Sequence, residues 1–469
     1  MKHLANSVIL ITASCALFLT GCTMGPNYKR PVTAPPPQFR GTADQTASSI
    51  ADTKWADLFQ DDQLTALVKK ALEQNYDLRI ASARILEARA QLGISKAQGL
   101  PNLTGGGSFT ASKPSSLGSV VFIPPGTNLD VSYTGVGFSL GWELDVWGRI
   151  RRLNEAARAH YFATEEARRG VVTTLIGDVT SNYFNLREAD MEFTIARKTV
   201  DIAQNSLRLT NIKLSGGTST ALDVRQAEQL LYTATAQMSA AQRQIEQTEN
   251  LLSLLVAQNP RAISRGKDLT AFTIPPIVPS GLPAALLERR PDIRGAEQTL
   301  IAANANIGAA KAQYFPKIEL TGLLGAQSRP LTSLFTGNAR NWNFVPQFTV
   351  PIFDAGKIRN NIRLSEAQKQ EYVAIYEKTV QTAFREVADA LSGYNNVAEQ
   401  RKQQEFLVKS LTDAGRLSTL RYRGGLDSYL QVLDSERNLF QGELALARLR
   451  RDEIVTVVTL YRALGGGWQ

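Results

Sequence analysis

Two runs of the chain, from about Ile150 to Leu214 and from Ile358 to Tyr422, carry a helical pattern for some 65 residues each, with no proline to break either. At 1.5 Å of rise per residue each predicts a helix of roughly 100 Å, beyond what a globular core accommodates. Val172, Val179, Leu186, Phe193, Val200, Leu207 and Leu214 recur every seventh residue in the first run. The same period continues in Val224, Leu231, Met238, Ile245 and Leu252, and in Leu426, Leu433, Phe440, Ala447, Ile454 and Tyr461. A sustained heptad demands coiled-coil packing against neighbouring helices. The copy at Val380, Val387, Tyr394 and Val408 is interrupted by Arg401 and Gly415, so the two halves are not equivalent.

Each long run stops at a glycine pair. Lys213-Leu214-Ser215-Gly216-Gly217-Thr218-Ser219-Thr220 and Arg421-Tyr422-Arg423-Gly424-Gly425-Leu426-Asp427-Ser428 stand 208 residues apart. Paired glycines enter left-handed backbone at low cost, and Asp427 and Ser428 are the residue types that cap a following helix. Both are therefore predicted helix hairpin turns. The stretch from about Asp61 to Gln98, predicted as one helix, recurs at 287 to 318 with an offset of 215 and twelve identities, among them Asp77/Asp292, Gly93/Gly308 and Pro101/Pro316. One repeat at so long a period means a duplicated domain rather than a solenoid. Two shorter helices, about 222 to 258 and 283 to 314, sum to the length of one long run and are expected to stack end to end beside it. Between them a segment with Pro260, Pro275, Pro276, Pro279 and Pro283 is a non-helical belt.

After Pro101 and Pro316 the period changes from helical to two. Thr134, Val136, Phe138, Leu140, Trp142 and Leu144 alternate with small or polar residues in 133 to 144, and Trp342, Phe344, Pro346, Phe348, Val350 and Ile352 do so in 342 to 352. Weaker strands at about 102 to 111 and 318 to 327 complete two hairpins. Their length and one-sided apolarity suit a tilted crossing of a bilayer, with soluble sandwich strands as the alternative. Four strands cannot close a barrel, and open edges are not tolerated in lipid. Strands that cross a membrane here must therefore share one barrel among several copies of the chain, with the loops 112 to 132 and 328 to 341 at its outer face.

The N-terminus reads as an export signal: Lys2, an apolar stretch from Val8 to Leu19, then Leu19-Thr20-Gly21-Cys22, an ending that resembles a bacterial lipobox. That resemblance implies cleavage before Cys22 and acylation of it. Residues 23 to 50, with five prolines up to Pro37, read as an extended and poorly packed tether. The formal charge of +9 falls to +8 without Lys2, but acidic residues are interspersed throughout, so a solvated exterior and no nucleic-acid partner are expected. Cys15, Cys22, His3 and His160 are the only cysteines and histidines. No metal cluster, cofactor motif or Ser/His/Asp grouping can be assembled from them, and no enzyme activity is expected.

Pro279-Ser280-Gly281-Leu282-Pro283, Glu288-Arg289-Arg290-Pro291-Asp292-Ile293-Arg294, the Phe315-Pro316 junction, the two glycine turns and the closing Tyr461-Arg462-Ala463-Leu464-Gly465-Gly466-Gly467-Trp468 together resemble the outer-membrane factor (TolC-like) family of bacterial efflux and secretion systems, and most nearly its lipoprotein efflux branch. The resemblance spans nearly the whole chain after the signal. It implies a mainly α fold with a membrane β-barrel portion: a homotrimer in which four strands per chain build a twelve-stranded barrel in the outer membrane, continued by a coiled-coil α-barrel through the periplasm. It also implies a passive exit duct served by a periplasmic adaptor and an inner-membrane pump, expected to be of the resistance-nodulation-division type. By resemblance Leu430 and Asp434 match the constriction, with Tyr422, Asp427 and Arg437 beside them, and Gly216, Gly217, Thr218, Ser219, Gly424, Gly425 and Leu426 form adaptor-contact turns. Spacings of three and four put 427, 430, 434 and 437 on one helix face, while Leu222 and Gln226, the counterparts in the first half, lack the acid. The expected organisation is a signal at 1–21, a lipid-anchored leader at 22–60, a first repeat at 61–260, a linker belt at 261–282 and a second repeat at 283–469. A duct for type I-like secretion, a structural coiled-coil lipoprotein and an outer-membrane enzyme are the rival readings.

Overall fold

The computed structural model describes residues 23–40, 49–113, 115, 129–272 and 279–468. Nine α-helices and four strands are assigned among them: α1 (Trp55–Phe59), α2 (Asp62–Gln74), α3 (Tyr76–Ala97), β1 (Asn102–Ser112), β2 (Val131–Leu144), α4 (Arg149–Ser215), α5 (Ala221–Leu255), α6 (Pro283–Arg289), α7 (Pro291–Ala312), β3 (Lys317–Ser328), β4 (Arg340–Thr349), α8 (Lys357–Arg423) and α9 (Tyr429–Ala463). The long helices α4 and α8 have 67 residues each. The chain divides into two compact units, neither of which is one repeat; each takes segments from both.

The first unit, residues 1–31, 85–163 and 296–375, holds the strands. They form one antiparallel sheet in the order β1-β2-β3-β4, so the two predicted hairpins are joined by pairing of β2 with β3. Residues directly opposite one another share a face. Along the register, Gly105, Phe138, Leu324 and Trp342 fall in one row and Leu103, Leu140, Gly322 and Phe344 are two residues along on the same side, so the large aromatic residues and most of the apolar ones share one face. Thr104, Ser139, Leu323 and Asn343 lie on the other. The fourth strand ends at Thr349 rather than continuing to Ile352, because Pro351 has no N–H to offer a ladder.

Residues 23–31 are extended as expected, but they are packed, and the tether reading is corrected here. Met24 N donates to Trp147 O (3.1 Å), Arg152 Nε to Met24 O (3.0 Å), Asn304 Nδ2 to Pro26 O (2.9 Å) and Tyr28 OH to Glu297 (3.0 Å). Arg30 grips the same Glu297 with two bonds of 2.6 Å. These side chains satisfy the polar backbone of a segment that has no secondary structure of its own, offsetting the entropy of ordering it.

The second unit, residues 32–84, 164–295 and 376–469, carries the main core. Val179, Tyr183, Phe184 and Leu186 of α4 are fully buried against Leu64 and Val68 of α2, Leu252 of α5, and Ile263 and Leu269 of the belt. The heptad positions Val200, Ile245, Leu433, Phe440, Ala447 and Ile454 are buried, and exposure appears only where the pattern reaches the turns, at Leu214 and Leu426. Phe39 of the leader is buried against Phe384.

Two predicted helices are broken. The 61–98 stretch is interrupted at Asn75 (ψ 136°) and the 283–314 stretch at Arg290 (ψ 122°), positions related by the 215-residue offset. Pro291 excludes helical backbone at Arg290. At both breaks the side chain closes another helix: Asn75 Nδ2 donates to Leu255 O (2.9 Å) while its Oδ1 accepts from Leu78 N (3.1 Å), and Arg290 Nη1 donates to Ala463 O (3.0 Å). The end of α5 therefore closes on the break at Asn75, and that of α9 on the break at Arg290. This corrects the expected stacking of the 222–258 and 283–314 helices on each other.

Candidate functional site

The two glycine turns have the same backbone. Gly217 (φ +72°) and Gly425 (φ +73°) are left-handed. Thr218 N bonds Lys213 O (2.8 Å) and Gly217 N bonds Leu214 O (3.0 Å); in the twin, Leu426 N bonds Arg421 O (3.0 Å) and Gly425 N bonds Tyr422 O (3.0 Å). Each is a Schellman motif that returns the orphan carbonyls of a 67-residue helix to amide donors. Gly216, Gly217, Thr218, Gly424, Gly425 and Leu426 are exposed and Ser219 is half-buried.

Past the glycines the two turns diverge. Thr220 caps α5 through a capping box: its hydroxyl accepts from Asp223 N (3.2 Å), and the Asp223 carboxylate accepts from Thr220 N (2.8 Å) and from the Ser219 hydroxyl (2.9 Å). The amide of Thr220 holds that carboxyl below its usual range. Ser428 caps α9 with no side-chain hydrogen bond. Asp427 is engaged instead by Arg421, with Nε and Nη2 donating at 2.6 and 3.0 Å, and this bidentate pair lowers its pKa. Ser428 holds the N-cap position, but neither it nor Asp427 makes the expected side-chain capping bond, and Asp427 stands in the turn before the helix rather than on its face.

Leu430, Asp434 and Arg437 do share a face of α9. Leu430 is 52% exposed, whereas Tyr429, Val432 and Leu433 beside it are buried in a cluster with Ala203, Ala227 and Leu230. Asp434 lies 3.6 Å from Arg437 and accepts from Asn438 Nδ2 (3.2 Å). Both charges are more than half exposed, so the pair adds little to stability. Tyr422 packs on Tyr429 with ring centroids 5.4 Å apart, and Lys213 of the first turn places Nζ 3.7 Å from the Tyr422 ring. A cation–π contact thus links the two turns.

The structure adds residues that the sequence reading passed over: Arg421, Lys213, Tyr429 and Glu436. Tyr429 and Glu436 are seven residues apart, the heptad spacing already evident elsewhere, which was the signal for a second, inward face of α9. Cys22 and the signal before it lie outside the described residues, as does most of the 112–132 loop. Thr23, next after Cys22, lies against Gly148, where φ is +76° and a Cβ would meet Thr23 at 2.8 Å.

Long heptad helices joined by exposed Schellman turns, with a four-stranded sheet that carries one mainly apolar face, suit a channel-forming protein. The model of the outer membrane efflux protein family matches residues 67–258 and 282–466, and the chain belongs to that family, one of transport channels rather than of enzymes. It is 41% identical over 460 residues to the solvent efflux pump outer membrane protein SrpC of Pseudomonas putida, covering 96% of this chain and 97% of the relative. It is 34% identical over 472 residues to the probable outer membrane lipoprotein SilC of Salmonella typhimurium, covering 100% and 99%. Among solved structures, the open state of the MtrE outer membrane channel of Neisseria gonorrhoeae superposes with a TM-score of 0.86 at 32% identity, over 96% of this chain and 99% of the other.

Proposed function

We propose that the chain is the lipid-anchored outer-membrane duct of a tripartite efflux system, a homotrimer that conducts passively what an inner-membrane pump delivers through a periplasmic adaptor. The observation that carries the shared barrel is the sheet itself. The mainly apolar faces of all four strands lie on one side, and among the described residues β1 and β4 pair with only one neighbour each. In lipid those two edges need partners, and a second copy supplies them: β4 of one copy beside β1 of the next, closing at twelve strands. Acylation of Cys22 fits a leader that begins against Gly148 beside the strands, and SilC is named a lipoprotein.

In this reading α9 lines the inner mouth. Leu430 contributes an apolar ring and Asp434 a ring of three carboxylates, with Arg437 as its local counter-charge and the Arg421–Asp427 pair and Tyr422 holding the turn. Both glycine turns offer exposed backbone to the adaptor, and the second dominates gating because only it carries the acid. A pump of the resistance-nodulation-division type drives transport, and organic solutes are its cargo, as the name of SrpC suggests. The test is conductance in planar bilayers together with the mass of the purified assembly. A trimer whose small conductance rises severalfold in Leu430→Ala and Asp434→Ala is expected. A monomer, or an unchanged conductance in both variants, defeats the reading.

A further inference from the structure

Beside the turn, a cleft of about 520 Å³ that is open to solvent on one side lies between three helices, with Ser206 from α4, Tyr422 from α8, and Tyr429 and Glu436 from α9 in its wall. Three buried oxygens at this cleft have no hydrogen-bond partner: Glu436 Oε2, Tyr422 OH and Tyr429 OH. The Ser206 hydroxyl approaches that of Tyr429 without completing hydrogen-bond geometry. Tyr429 is only 3% exposed. Unmade hydrogen bonds at three buried polar groups are costly, and a network left incomplete is a place where packing is close to giving way.

The surrounding charges leave Glu436 unpaired. From α8, Arg416 and Arg423 line the cleft, with Arg416 4.0 Å from Asp413. From α4, Lys213 is committed to the Tyr422 ring. From α5, Asp223 acts on Tyr429 and holds the capping box. On α9 itself, Asp434 pairs with Arg437. Burial without a counter-ion pushes the Glu436 carboxyl up to about 7. Among the described residues no unpartnered buried oxygen lies at the first turn, which carries the capping box that the second lacks.

We propose that Glu436 is a proton-operated latch on the second turn: neutral, it lets the start of α9 stay packed against α4 and α8, and ionised, it draws water into the cleft and frees the Tyr429–Asp434 stretch. The proton exchanges with periplasmic water and no other reactant is needed. This inference rests on the gate reading of Leu430 and Asp434 and adds its control.

The test uses the full-length assembly in planar bilayers from about pH 5.5 to about pH 8.5, a window centred on the value of about 7 to which burial pushes Glu436. Occupancy of the conducting state in the wild type is expected to rise through neutrality, by at most about tenfold per pH unit for each protomer. Glu436→Gln, which keeps shape and removes the charge, is expected to stay closed and flat across the window. Asp434→Ala raises conductance at every pH but keeps the wild-type midpoint. A wild type that is flat, or a Glu436→Gln profile that tracks it, overturns the latch while a response of Leu430→Ala and Asp434→Ala leaves the gate standing. Amide exchange of residues 429–436, corrected for intrinsic rates, decides the latch without reference to conductance: opening faster at high pH in the wild type only supports it, and equal pH dependence in both proteins overturns it.

Discussion

Gly93 and Gly308 occupy equivalent places in the two repeats, yet only one has a neighbour. A Cβ on Gly308 would fall on the carbonyl oxygen of Met24 and on the Arg152 side chain, whereas one on Gly93 meets nothing within 4 Å. Gly308→Ala is therefore expected to dislodge the leader, read as faster proteolysis between residues 23 and 31 and a lower melting temperature. Gly93→Ala, mid-helix and open, is expected to be neutral or to stabilise by about 0.5–1 kcal/mol. Glu436 carries the pH dependence at this scale. Its folded pKa lies above the ordinary glutamate range, so the folded state holds a proton that the unfolded chain has already released. Its contribution is fully present below the ordinary range and is lost as pH rises through about 7. Thermal unfolding of Glu436→Gln is expected to lack that decline, compared with wild type at matched pH.

At the scale of elements, the two hairpins show one backbone solution with two side-chain solutions. The first closes with a capping box, the second with an ion pair across the turn. Thr220→Ala is expected to cost about 1 kcal/mol of local stability, while Ser428→Ala, which removes no hydrogen bond, costs little. Amide exchange over the first turns of α5 and α9 checks both. The long helices and glycine turns were legible in sequence to within a residue or two, because heptads and paired glycines are local signals. The breaks at Asn75 and Arg290 were not read, although signals for both stood in the sequence. Pro291 announced the second, and the repeat offset then pointed to the first, where asparagine at the entry of a helix was the remaining clue.

For the whole molecule, the decisive property is the common apolar face of the sheet. Leu324→Arg places a charge on that face and is expected to cost about 2–4 kcal/mol if it sits at mid-membrane, read as loss of assembled protein from the outer-membrane fraction. Ser139→Arg, paired with Leu323 on the face opposite to that of Leu324, is expected to assemble normally. Equal losses for the two would mean that the sheet does not present this face to lipid.

The amino-acid sequence by itself determined the elements, the duplication and the side of each strand that is apolar, since these arise from spacings of seven, four and two between residues close in the chain. Tertiary structure alone decided which break the end of each hairpin helix closes on, that residues 23–31 of the leader are bound rather than loose, and that Asp427 answers Arg421 instead of capping α9. It also decided that Glu436 faces two unpartnered phenols across a cleft. Each of those outcomes depends on groups brought together from distant segments, or on competition between two partners for one carboxylate, and no local period records such a choice.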